Sequence, residues 1–190
     1  TGRSNDARTS QGQTSFALFE GTTDYGEVLI CDGANKPFFF KMTGTGALAD
    51  RTFFAGEITV DSTTAPTVGA IHENHFVVGG APTAKNKIYY SSSLDPDSFS
   101  GSGAGSIQLT DAVVGLASFR SDLIIFCKNS IFKLINISDS SNIAVVPITR
   151  NVGCLDGNSI QEIGGDLLFL SPDGVRTIAG TARIGDVELS

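Results

Sequence analysis

The chain has 190 residues, 41% of them hydrophobic and 17% charged, with 22 glycines. That suits one globular, turn-rich domain burying roughly 70% of its unfolded surface, and excludes disordered and collagen-like classes. Thirteen basic against twenty acidic residues leave a net charge of −7, with a pI of about 4.7, which argues against a basic module that grips a phosphate backbone.

The opening TGRSNDARTSQGQTS is polar and has no basic start followed by an apolar run. It does not read as a secretion signal, and the expectation is an excerpt that begins inside a longer chain. No stretch approaches the roughly 18 consecutive apolar residues of a membrane-spanning helix, so a soluble protein is expected.

From residue 16 onward a pattern recurs. A weak strand, FALF at 16–19, precedes the dense segment EVLICDGANKPFFFK from Glu27, and GEITV follows at 56–60. The second unit has VGAI at 68–71, HFVVGGAPTAKNKIYYS from His75 and SIQLT at 106–110. The third has VGLASF at 114–119, DLIIFCKNSIFKLIN from Asp122 and NIAVVPIT at 142–149; the fourth has SIQEI at 159–163 and DLLFLSPDGVRTIAG from Asp166. The dense segments start 48, 47 and 44 residues apart.

Strands of four to seven β-branched and aromatic residues, joined by Gly, Asn, Asp or Pro, predict antiparallel hairpins. Asp32-Gly33, Asn129-Ser130 and Asp173-Gly174 fall at matching turns, while the second unit predicts a longer loop, GGAPTAKNK at 79–87. LIIF and LLFL lack in/out alternation, which predicts strands covered on both faces. A period in the mid-forties with about four short strands is the pattern of a β-propeller blade, and no window of helical periodicity competes with it. The reading is all-β: one propeller domain over 1–190, or an arc of one, with blades centred on 16–60, 65–110, 111–150 and 151–190. A β-sandwich with evenly spaced strands is the alternative. The fourth unit reaches Ser190 without an outer strand.

The chemistry-bearing motifs are weak. GTGALA at 44–49 matches a dinucleotide fingerprint in letters, but no helix-forming sequence follows it, and GSGAGS at 101–106 reads as a loop. His72 and His75 in HENH are expected on opposite faces of a strand, which disfavours a shared metal. Asp95, Asp97 and Asp156 suit Asx turns better than a calcium loop. Asn136-Ile137-Ser138 is a chance-level glycosylation sequon. Cys31, Cys127 and Cys154 lack metal or disulfide spacing and read as buried thiols. No GxSxG, HExxH or P-loop string occurs, so no enzyme activity is expected and no catalytic, cofactor or metal residue is assigned.

The wording of the repeats resembles a known family. APTVGAIHENHFVVGG at 65–80, KIYYSSSLDPDSF at 87–99, DAVVGLASFRSDLIIFCKNSIFKL at 111–134 and NVGCLDGNSIQEIGGDLLFLSPDGVRTI at 151–178 are similar to the propeller region of bacteriophage tail nozzle proteins. These are also called tail tubular protein B, or hub and packaged-DNA stabilisation proteins. Pro66, Gly79, Tyr90, Ser91, Phe99, Gly153, Cys154, Ser171, Asp173, Gly174 and Val175 follow the family's pattern in order, and residues before 60 fit it loosely.

The resemblance implies a structural virion protein located in the tail, forming a homomeric ring, commonly six-fold, below the portal and adaptor. It implies adaptor, portal and tail fibre or spike proteins as partners, with genomic DNA as transiting cargo. It supplies no catalytic residue and no cofactor. An acidic surface suits a channel that must not hold phosphates. The alternative functions are a non-viral propeller serving as a protein-interaction hub, or a carbohydrate-binding or enzymatic one. The absence of Trp and the presence of only three Tyr weaken sugar stacking.

Overall fold

A computed structural model describes residues 15–19, 27–43, 52–61, 65–93 and 95–181 of the chain, with side chains at all of these except 19, 27, 41–43 and 52–57. The GTGALA motif and the end of the fourth unit lie outside the described residues. Where β-branched and aromatic residues cluster, the backbone is extended, because such side chains fit a pleated surface and restrict other conformations.

The first sheet holds β1 (Ser15–Phe19), β2 (Glu27–Cys31), β3 (Phe38–Thr43) and β4 (Thr52–Glu57). The second holds β5 (Val68–His72), β6 (His75–Ala81), β7 (Ala84–Tyr90) and β8 (Gly105–Gln108). The third holds β9 (Val113–Phe119), β10 (Asp122–Cys127), β11 (Ile131–Ile135) and β12 (Ala144–Thr149), and the fourth β13 (Gln161–Ile163), β14 (Asp166–Ser171) and β15 (Gly174–Thr177). Every pairing is antiparallel between sequence neighbours, so each sheet is a simple meander. The all-β class is thus established. No helix of the described residues is long and apolar enough to cross a membrane.

The register sorts each sheet into two faces, and the cores lie between consecutive sheets. Ala17, Leu29 and Cys31 of the first sheet pack against Phe76, Val78 and Tyr89 of the second. On the opposite face of the second, Val68, Val77, Ile88 and Tyr90 meet Leu123, Ile125, Cys127 and Leu134 of the third. Ile124, Phe126 and Ile131, on the third sheet's other face, meet Leu167 and Phe169 of the fourth. Each sheet therefore presents a forward face to its successor's back face, and the series runs in one direction along the chain.

Three local expectations change. The last strand of the first sheet is β4, and Ile58, expected within GEITV, follows it as a buried loop residue. The long loop at 79–87 is instead a tight turn at Pro82-Thr83, because β6 absorbs both glycines. Gly80, at φ +71, sits where the register shifts between Gly79 and Ala81, the backbone that a bulge favours glycine for. The LLFL strand, β14, is covered on one face only: Leu167 and Phe169 are buried, whereas Leu170 is exposed.

A shared cavity, a histidine seam and carboxylate turns

The first strand of each sheet contributes to one cavity of about 360 Å³, lined by Phe16–Leu18 of β1, Gly69–Ile71 of β5 and Leu116–Ser118 of β9, together with Gly157, Ile160, Glu162 and Leu167 at the fourth sheet. β5 lies between β1 and β9 in this set. Small residues are interspersed with larger ones in the lining, and Gly69 is small for a packing reason. A Cβ on Gly69 would lie 2.7 Å from the Phe76 ring and 3.1 Å from Cys31 Sγ, so glycine lets the first two sheets approach. Among the described residues, Glu162 is the single ionisable side chain of the lining, with no Lys or Arg beside it.

His72 and His75 sit differently from the sequence expectation. They are a cross-strand pair flanking the two-residue turn Glu73-Asn74, whose φ values of 46° and 63° are those of a primed hairpin turn. Residues directly opposite in an antiparallel pair share a face, so the period-two argument fails once the chain reverses between them. Both imidazoles are buried, on the face toward the third sheet. His72 Nδ1 lies 2.8 Å from Ser118 Oγ, and His75 Nδ1 lies 2.6 Å from the Ser91 carbonyl oxygen. The carbonyl can only accept, so His75 carries its proton on Nδ1; its buried Nε2 has no hydrogen-bond partner among the described residues. Burial pushes the His72 pKa down, against the opposing pull of Glu73 and Asp122 and with a smaller downward push from His75.

The His72–Ser118 pair has the spacing of a base and a nucleophile, and Ser118 borders the cavity. Yet the imidazole is only 3% exposed and reaches the serine from another sheet. It functions as a polar tie across the seam between the second and third sheets. Among the described residues, no group of three or more His, Cys, Asp or Glu could hold a metal ion.

The acidic side chains work in turns. Asp32 accepts from the amides of Ala34 and Asn35 at 3.0 and 2.8 Å. Asp111 accepts from the amides of Ala112 and Asn129, each at 2.7 Å, and from Ser130 Oγ at 2.8 Å. Burial opposes ionisation of Asp111, but these donors win and hold its carboxyl below the usual range. Asp173 is depressed further by Arg176, which forks onto it, and by Ser171. Asp156 caps the 3-10 turn Gly157–Ser159 by accepting from Asn158. Asp95 instead forms an isolated bridge with Ser92.

The three thiols are buried and free. Burial, then the neighbouring Asp32, raises the pKa of Cys31; burial and Asp111 push Cys127 up to about 12 despite the Ser130 hydrogen bond. Burial also raises Cys154. All three therefore stay protonated and unreactive at neutral pH.

No protein-family model matches the chain, and no curated protein matches it significantly. Several of the positions that resemble the nozzle pattern serve packing and turns. The Pro66 carbonyl accepts from Gly33 N at 2.9 Å, Ser91 Oγ accepts from Phe76 N at 2.9 Å, and Gly153 lies flat against the Lys128 carbonyl. Cys154 N donates to the Cys127 carbonyl at 2.9 Å, joining the fourth sheet's lead-in to the third sheet.

Sequence reasoning missed the shared cavity, because Gly69, Ala70, Ala117 and Ser118 carry little apolar weight in a strand pattern. Ala70 and Ala117, each two residues before the end of its strand, were the available signal.

Proposed function

We propose that the four sheets are blades of a β-propeller and that the protein is a structural component of a bacteriophage tail, part of the nozzle or hub below the portal. The observation that carries the ring reading is the convergence of four first strands on one cavity, each sheet pressing its forward face onto the next. In a propeller, the first strand of each blade lines the axis. The virion placement is supported by the ordered repeat wording from Pro66 to Val175.

Within this reading the chain is scaffold. A cavity of about 360 Å³ is far too small for duplex DNA, so the genome's path runs between subunits, in a ring of copies that the family resemblance puts at six. Many of the carboxylates are committed to turns, and among the described residues the cavity lining holds no basic side chain that could retain phosphates.

The deciding experiment is localisation. Antibodies raised against the chain should label the tail, below the portal vertex, of phage particles that encode it. In solution, no tight binding to duplex DNA is expected at physiological salt. Label absent from the particle, or strong duplex binding, overturns the assignment. Co-purification of a foreign partner protein would favour the interaction-hub reading instead.

A further inference from the structure

The cavity between the sheets is bordered by strand edges whose backbone groups are not spent on a neighbouring ladder. β5, β9 and β13 are each the first strand of a sheet, and no ladder joins one to another. Each turns back through two residues, pairing His72 with His75, Phe119 with Asp122 and Ile163 with Asp166. Such a turn closes on a hydrogen-bonded pair, and successive residues point their backbone groups to opposite sides of a strand. Ile71, Leu116, Ser118 and Glu162 therefore turn their N–H and C=O groups to the free edge. Gly69, two residues before Ile71, shows the same direction: its amide donates to Ser15 Oγ of the first sheet at 2.8 Å.

One charge faces these edges. Glu162 opposes Leu167, which is buried against the third sheet, so its side chain lies on the side of β13 turned toward β9. Ile160 fixes that approach, since its side chain occupies the place that a Cβ on Gly115 would take. Among the described residues the Glu162 carboxylate has no hydrogen-bond or ion-pair partner. Arg120, at the tip of the neighbouring hairpin, donates instead to the Gly165 carbonyl at 2.8 Å. Phe16 and Leu18 border the same space with apolar surface.

We infer that this cavity binds a small organic cation, a primary ammonium carried on an apolar body, with Glu162 as its counter-charge. An ammonium has three donors and no acceptor, which suits one carboxylate beside outward-facing carbonyls. An anion would meet no cation among the described lining residues. The volume of about 360 Å³ falls at the small end of the roughly 300–1,000 Å³ of ligand pockets, room for a compact amine. The carboxylate and the three edges lie between residues 71 and 162, so the site rests on neither terminus, and it is independent of the virion assignment.

The test is a titration of the intact 190-residue chain with phenethylammonium, followed by backbone-amide NMR, with phenethyl alcohol as the neutral control and hydrocinnamate as the anionic one. Saturable shifts are expected at the amides of Ile71, Leu116, Ser118 and Glu162 with the amine, and none of comparable size with either control. Glu162 is exposed, so Glu162→Gln should keep its urea midpoint while weakening amine binding roughly tenfold or more. Absence of saturable shifts, shifts confined to other residues, equal binding of the alcohol, or amine binding unchanged in Glu162→Gln would each overturn the inference. So would a Glu162→Gln chain that loses stability while the parent binds no amine. That result would assign the carboxylate to a guanidinium of the chain itself, such as Arg3, Arg8 or Arg183, which lie outside the described residues. Tail labelling, which tests the virion assignment, is untouched by any of these outcomes.

Discussion

Strands β10 and β14 are written in nearly the same letters, DLIIFC and DLLFLS, yet five of six residues are buried in β10 against three of six in β14. The difference is position in the series. β10 has a sheet on each side; β14 has one on its Leu167 and Phe169 side only. An apolar strand therefore states what its surroundings must supply, and fully burying one more leucine-sized side chain is worth about 1.5–3 kcal/mol.

The sharpest way to break this contrast is to empty the doubly covered sheet. Phe126→Ala removes a fully buried ring that meets Phe169 at 5.2 Å between centroids, and should cost about 3–5 kcal/mol in urea unfolding. Gly153→Ala follows. A Cβ there would collide with the Lys128 backbone, which cannot swing away as a side chain would, so a loss of about 1–3 kcal/mol is expected by the same measurement.

Acidification probes the seam between the covered sheets. The folded chain holds His72 below its ordinary value of 6.5, so protonation favours the unfolded chain. Stability should be full above pH 6.5 and fall as the pH drops toward the lowered folded value. Urea midpoints taken between pH 7.5 and 5 should show this, with a shallower slope in His72→Gln. At the fourth sheet, Val175→Asn should change the stability by no more than about 0.5 kcal/mol in urea unfolding. A large loss there would mean that this exposed face is packed in solution.

Much of the architecture could be read from local chemistry. Asp32-Gly33 announces its turn because the Asp32 side chain caps the amides of Ala34 and Asn35 and Gly33 accepts a φ of +72°, and at Asp173-Gly174 the glycine takes a φ of +124° while Asp173 holds Ser171 and Arg176. The histidine pair was not legible in the same way. It depends on a reversal inside HENH that places Glu73, an uncommon residue for a positive φ, in the turn. Only tertiary cover makes that reversal worthwhile. The Pro82-Thr83 turn was hidden by the two glycines of β6, which look like loop and serve as a bulge. The cavity was invisible for another reason: its lining gathers residues from four separate units, several of them glycine, alanine or serine, which a strand pattern does not mark.

Because each sheet pairs only strands adjacent in sequence, its hydrogen-bonded ladder is complete once some forty consecutive residues have left the ribosome. Assembly can then advance vectorially during translation, with each nascent meander docking on the one synthesised before it. Until something covers them, the exposed Phe16, Leu18, Val28 and Phe40 of the first meander are an aggregation hazard.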